Sequence, residues 1–140
     1  MFFALSACNL KHREPDQQES ISFYDSSDLS MKVEEVTSSK IKVRFNYVGK
    51  EEAIYGNYYI LEINKNQSWC SLPYVTDSEV IFNAVGYSLT SKIKSEWETN
   101  YKALYGSLQP GQYRIIKSVD VKNSKGSFET YYISAEFSIQ

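Results

Sequence analysis

Read as a pattern of apolar and polar positions, the chain changes character at Leu29. Upstream, "NLKHREPDQQESISFYDSSD" holds few core-forming residues, a composition that cannot bury enough apolar surface to fold by itself. Downstream, apolar residues fall on alternate positions, the period of a strand with one buried and one wet face. Leu29, Met31 and Val33 alternate with Ser30, Lys32 and Glu34, and Ile41, Val43, Phe45 and Tyr47 alternate with Lys42, Arg44 and Asn46. A third strand is predicted from about Ile54 to Ile63, with Tyr59, Leu61 and Ile63 inward. A short strand around Trp69 and Cys70 follows the turn-forming residues Asn64, Lys65, Asn66 and Gln67. Two long strands close the chain, the first carrying Tyr113, Ile115, Val119 and Val121 and the second Tyr131, Ile133, Ala135, Phe137 and Ile139. Asn123, Ser124, Lys125 and Gly126 between them are turn formers, so the pair reads as a hairpin. Before it, Leu89, Ile93 and Trp97 continue a strand, and "ETNYKALYG" suits one or two helical turns ending at Gly106. The expectation is an all-β sandwich of six to eight strands with one short helical crossover near residues 98–106.

The stretch "LQPGQYRI" refines this topology. Leu108, Pro110, Gly111 and Tyr113 set an apolar residue, a rigid turn and a tyrosine just before a strand. That is the arrangement of the tyrosine corner of immunoglobulin-like sandwiches, in which the ring is buried and its hydroxyl bonds back to upstream backbone. Antibody domains carry a cysteine two residues later; here that position is Ile115, so stability has to rest on packing. Together with Trp97, Leu104-Tyr105-Gly106, Lys117 and the closing Ala135-Glu136-Phe137, these residues resemble the bacterial immunoglobulin-like domain family found in small envelope lipoproteins, chiefly of Gram-positive bacteria. The resemblance covers about residues 29–140 and implies a surface-displayed β-sandwich without an assigned catalytic activity. It carries over no binding residues.

Composition agrees with one domain: 140 residues, 42% hydrophobic and 15% aromatic, suffice for a single core. With 15 basic and 17 acidic side chains the net charge is only −2 and no basic run appears, which argues against nucleic acid as a partner. No stretch approaches the roughly eighteen consecutive apolar residues of a membrane-spanning helix. Motifs for a nucleophile elbow, a phosphate loop or a metalloprotease are absent from the sequence. His12, the one histidine, lies between Lys11 and Arg13 in the polar upstream stretch and has no second histidine with which to build a preorganised site. No cofactor, metal or catalytic residue is expected. The acidic Glu34, Glu35, Glu51, Glu52, Glu96 and Glu98 read as wet strand faces and loop ends. Among the twelve tyrosines, Tyr58-Tyr59 and Tyr131-Tyr132 are neighbours on strands, so one of each pair faces outward. Tyr58 and Tyr132 are therefore candidates for contact with a protein or a glycan, against the plainer reading that they form stabilising cross-strand pairs.

The opening "MFFALSACN" bears on the compartment. Leu5, Ser6, Ala7 and Cys8 resemble a bacterial lipobox, with small residues before the cleavage point and the invariant cysteine after it. The resemblance implies that Cys8 becomes the lipid-modified mature N-terminus. Residues 1–7 then read as the end of a truncated export signal, 8–28 as a flexible polar tether and 29–140 as the folded domain. Cys70, the other cysteine, reads as a small buried hydrophobe, with a reactive thiol as the competing role. A bridge from Cys70 to Cys8 requires an unmodified Cys8, so lipidation and the bridge exclude each other. The expected protein is a monomeric binding or structural module, attached through the lipid on Cys8 to the outer face of the bacterial cell membrane. A small envelope enzyme or enzyme inhibitor on the same sandwich is the competing class.

Overall fold

The computed structural model describes residues 23–92 and 95–140. Among them the order is β1 Leu29–Val36, β2 Lys40–Tyr47, β3 Ala53–Tyr55, β4 Ile60–Lys65, β5 Ser68–Ser71, β6 Tyr87–Leu89, β7 Ser95–Asn100, α1 Lys102–Tyr105, β8 Gly111–Lys122 and β9 Phe128–Ile139. The strands make two antiparallel sheets. The smaller runs β1-β2-β7. In the larger, β8 is central, with β9 along one side and β4 followed by β3 along the other; β5 lies beyond β4, and β6 beyond β3.

Alternation decides which side chains meet between the sheets. Ile41, Val43 and Phe45 of β2 join Leu61 of β4, Ile115 and Val119 of β8, and Ile133 and Phe137 of β9 in one buried cluster. Each such side chain contributes about 1.5–3 kcal/mol by leaving water. The outer face of the small sheet is instead a ladder of charge. Arg44 bonds Glu34 and Glu96 on either side, while Lys40 pairs with Glu98 and Lys42 with Glu35. The arginine holds the Glu34 carboxyl below the usual carboxylate range.

Turn chemistry follows the sequence closely at the β4–β5 hairpin. Its two-residue connection puts Asn66 and Gln67 at φ 52° and 69°, the left-handed pair that matches strand twist. The β8–β9 hairpin pairs all the way from Gly111↔Ile139 to Lys122↔Phe128.

Four expectations are revised. The described strands number nine rather than six to eight, because the predicted third strand breaks between Tyr55 and Ile60. The Leu89–Trp97 stretch also divides, β6 joining the large sheet and β7 the small one, with Ile93 outside the described residues. The helical crossover is confined to Lys102–Tyr105, residues 98–100 being the end of β7. Finally, residues 23–28, assigned above to the tether, are held against the domain. Phe23 bridges to Tyr132, the Tyr24 amide donates to the Tyr132 carbonyl at 2.9 Å, and the Tyr24 ring meets Tyr131 edge-on.

Candidate functional site

Two features of β8 order the molecule around its possible contact surfaces. At the start of the strand, Gly111 leads into Tyr113, whose hydroxyl donates to the Gln109 carbonyl at 2.6 Å. The Tyr113 ring stacks on Phe137 with centroids 5.6 Å apart, and Leu108 packs half-buried against the core. Pro110 sits exposed at the turn itself. Burial raises the Tyr113 pKa, and the bond to Gln109 works against that rise.

Six residues along, on the same edge of β8, the ladder is interrupted. Tyr55 of β3 is opposite Val119 and Ile60 of β4 is opposite Ile116, so four residues, 56–59, stand against two, 117 and 118. Such a bulge removes backbone groups from the ladder, and they need other partners. Lys117 supplies them. Its Nζ donates to the carbonyls of Gly56 at 2.8 Å and Tyr58 at 3.0 Å, and it lies 3.4 Å from the centroid of the Trp97 ring. Tyr55 offers a second ring face at 5.5 Å. The residue is 0% exposed. Burial pushes its pKa down to about 7, while the two carbonyls and the indole face favour the ammonium form. A desolvated lysine can act as a nucleophile, but this amine is enclosed and its donors are committed to main-chain oxygens, so its role is structural. Sequence reading passed over Lys117 as a site although the signal was present: it occupies the inward slot between Ile115 and Val119 in the alternation.

The bulge pushes a ledge of polar and aromatic groups outward. Asn57 Oδ1 accepts from Trp97 Nε1 at 2.9 Å and from the Tyr87 hydroxyl at 3.2 Å, and its Nδ2 donates to Asn83. Next to it Tyr58 is 37% exposed and meets Phe82 edge-on at 5.3 Å, while Tyr87 is 36% exposed. Trp97 thus has two functions: its ring seats Lys117 and its N–H fixes Asn57. Tyr132, the other predicted contact residue, sits across β8 from the bulge. It lies on the outer face of β9 opposite Ser118, with Phe23 bridged to its backbone. The two tyrosines therefore belong to different surroundings. A separate cleft of about 550 Å³ opens beside β2, floored by Met31, Phe45 and Tyr47 and rimmed by Lys32 and Lys92. Arg44, its third cation, is already neutralised by Glu34 and Glu96.

Cys70 corrects an expectation. It is buried, as anticipated, but it is disulfide-bonded rather than a free thiol packing as a hydrophobe. Cys8, the predicted lipidation site, lies outside the described residues, as does the rest of the lipobox-like segment. Among the described residues no cluster of histidine, cysteine, aspartate and glutamate has the geometry to hold a metal ion.

A nine-stranded sandwich of two antiparallel sheets, with the corner tyrosine bonded back to the turn before β8, has its counterpart in a family model. The model for the bacterial Ig-like domain matches residues 25–138. The chain belongs to the bacterial Ig-like domain family. The match begins at Asp25, so it takes in Asp25–Asp28, four of the residues assigned above to the tether. Neither the curated proteins nor the solved structures contain a match to it. Membership suggests a binding or structural module.

Proposed function

We propose that this Ig-like domain works outside the bacterial cytoplasm as a binding or structural module. The observation that carries the reading is the disulfide at Cys70, since structural disulfides form and persist in oxidising compartments. The lipobox-like Leu5-Ser6-Ala7-Cys8 supports export independently; attachment to the outer face of the cell membrane through a lipid on Cys8 is the form of this module in which Cys70 has no bridge to Cys8. Two acyl chains would suffice for stable anchoring. The surface offered to a protein or glycan partner is the ledge of Asn57, Tyr58, Asn83 and Tyr87, held rigid from below by Trp97 and Lys117.

A second reading comes from the same sulfur chemistry. The chain has two cysteines, and a sulfur in a thioether to lipid cannot also sit in a disulfide. An oxidised Cys70 favours an exported module whose Cys8 is unmodified. The deciding experiment is to express the chain behind a complete export signal, then count thiols in denaturant and measure partition into detergent. One free thiol with detergent partition establishes the lipid anchor. No free thiol with aqueous partition establishes the unanchored module. Two free thiols in a chain retained in the cytoplasm would overturn the extracytoplasmic function altogether.

A further inference from the structure

The ledge beside the bulge is built by two segments that carry no charge. Residues 53–61 and 80–91 contain no aspartate, glutamate, lysine or arginine, in a chain of which 23% is charged. Lys117, which holds the first segment from below, is enclosed and turned to main-chain oxygens. The cleft beside β2, by contrast, has Lys32, Arg44 and Lys92 at its wall. A surface made like the ledge selects neither an acidic nor a basic ligand. What it offers is ring faces and neutral hydrogen-bonding groups.

Tyr87 is held there as a platform. It stands directly opposite Tyr55 in the β3–β6 register, and the two rings stack with centroids 5.1 Å apart and 30° between their planes. Tyr55 is buried and lies in turn against Phe45, with 4.3 Å between centroids, so one face of Tyr87 is backed by rings that reach into the core. The exposed part of Tyr87 is therefore its other face. Its hydroxyl, donated to Asn57 Oδ1, stops the ring from turning. The carboxamides beside it are fixed as well. Asn57 Oδ1 has both lone pairs taken, by Tyr87 and by Trp97 Nε1, which leaves its Nδ2 to donate to Asn83 Oδ1. The Asn83 amino group is exposed, and among the described residues no protein acceptor takes it. Gly56 lets these parts close up, for a Cβ there would lie 3.2 Å from the Val85 carbonyl.

A fixed ring face edged by oriented amides matches a pyranose sugar. The sugar presents weakly positive C–H groups on its faces and hydroxyls around its rim. The negative face of an aromatic ring receives the first, and planar carboxamides, donor and acceptor at once, receive the second. A protein contact is ordinarily built the other way, with an apolar centre inside a polar rim. Here Asn83 is flanked in its loop by exposed aliphatic residues, Ile81 and Val85, and the amides lie between them and the bulge. We propose that Tyr87, Asn57 and Asn83 form a binding site for a neutral pyranose unit of a glycan, Tyr87 giving the stacking face and the two carboxamides the hydrogen bonds. The site deepens the binding-module reading above and rests on it. Because the ring and Asn57 are already held by Tyr55 and Trp97, little side-chain freedom remains to be lost on binding.

The test titrates the full chain, isotopically labelled for NMR, with cellohexaose, chitohexaose and maltohexaose, and with polygalacturonate as the anionic comparison. At least one neutral hexamer should shift the side-chain amide signals of Asn57 and Asn83, with a Kd on the order of 1 mM or tighter. Tyr87→Ala removes the platform and should weaken that binding about tenfold or more. Asn83→Ala removes a neutral donor and should weaken it about fivefold. Tyr87→Phe keeps the ring and should cost no more than about threefold. Phe128→Ala, which removes an exposed aromatic at the β8–β9 hairpin, should leave the affinity unchanged. Failure of all three neutral hexamers to move those signals, equal weakening by Phe128→Ala, or tighter binding of polygalacturonate would overturn the sugar site. A shift of the same signals with protein concentration alone would also overturn it, by marking the ledge as a contact between copies of the protein. Each of these failures leaves the extracytoplasmic reading standing, since that reading is decided by the thiol count and not by the sugar.

Discussion

Tyr113 and Lys117 stand four residues apart on the inward face of β8, and both spend a polar group on backbone carbonyls. Tyr113 does so with a neutral hydroxyl and one acceptor, Gln109, in a turn only four residues upstream. Lys117 does so with an amine and two acceptors, Gly56 and Tyr58, contributed by the bulge between β3 and β4, about sixty residues away. The corner ties a strand to its own entry turn, whereas the lysine ties together two strands, a bulge and the opposite sheet through Trp97. The difference teaches that a local polar contact and a long-range one carry different risks: losing the first loosens a turn, and losing the second takes the shared donor from two part-buried carbonyls.

The largest effect should come from breaking the second contact. Lys117→Met keeps most of the volume but orphans both carbonyls, and should destabilise the domain by about 3 kcal/mol in urea unfolding. A loss within experimental error would mean that water or a shifted bulge satisfies those groups equally well. Tyr113→Phe removes a single bond and should cost about 1–3 kcal/mol, at the lower end if the Gln109 carbonyl can turn to solvent. If it proved costlier than Lys117→Met, the ranking of the two contacts would be reversed.

Protonation sharpens the same comparison. The folded-state pKa of Lys117 is pushed down to about 7 from an ordinary 10.5. Between those values the unfolded chain binds a proton that the folded chain lacks, so stability should rise with pH across this window. Lys117→Met should abolish that rise, and Tyr113→Phe should leave it in place. Above pH 10 the sign changes, because burial pushes the Tyr59 hydroxyl up to about 12. The unfolded chain then releases its proton first and stability falls. Unfolding midpoints measured from pH 6 to 11 check both limbs.

Tyr59 also gives the smallest effect and the opposite sign. Among the described residues its hydroxyl is the buried side-chain polar atom without a hydrogen-bond partner, although nearby Thr99 draws its pKa slightly down. Its ring is well placed, edge-on to Trp97 at 5.4 Å. Tyr59→Phe should therefore be neutral or stabilising by up to about 1 kcal/mol. A loss of the size expected for Tyr113→Phe would show that the hydroxyl has a partner in solution.

Particular residues show how far sequence reading extends. In β2 and β9 the alternation alone places Ile41, Val43, Phe45, Ile133, Ala135 and Phe137 inward, because a pleated strand has no other way to bury one face. The tyrosine before β8 reads equally well, since its acceptor lies four residues away. Lys117 occupies an inward slot by the same rule, but charge discourages that reading until two stray carbonyls and an indole face are found to receive it. The ledge of Asn57, Tyr58, Asn83 and Tyr87 was legible only as an exposed Tyr58, because Asn83 and Tyr87 arrive from a separate segment.

By itself the sequence determined the all-β class, the hairpins, the inward rows and the corner, for all of these follow from residues within one strand or one turn. Tertiary structure decided the rest: the break between β3 and β4, the buried lysine that fills it, the ledge it supports and the oxidised state of Cys70. Each of these depends on groups far apart in the chain meeting in a water-free space. There, unpaired carbonyls or a lone amine cost too much to leave unpartnered, a thiol is oxidised only where a second sulfur reaches it, and nothing in the local pattern names the partner.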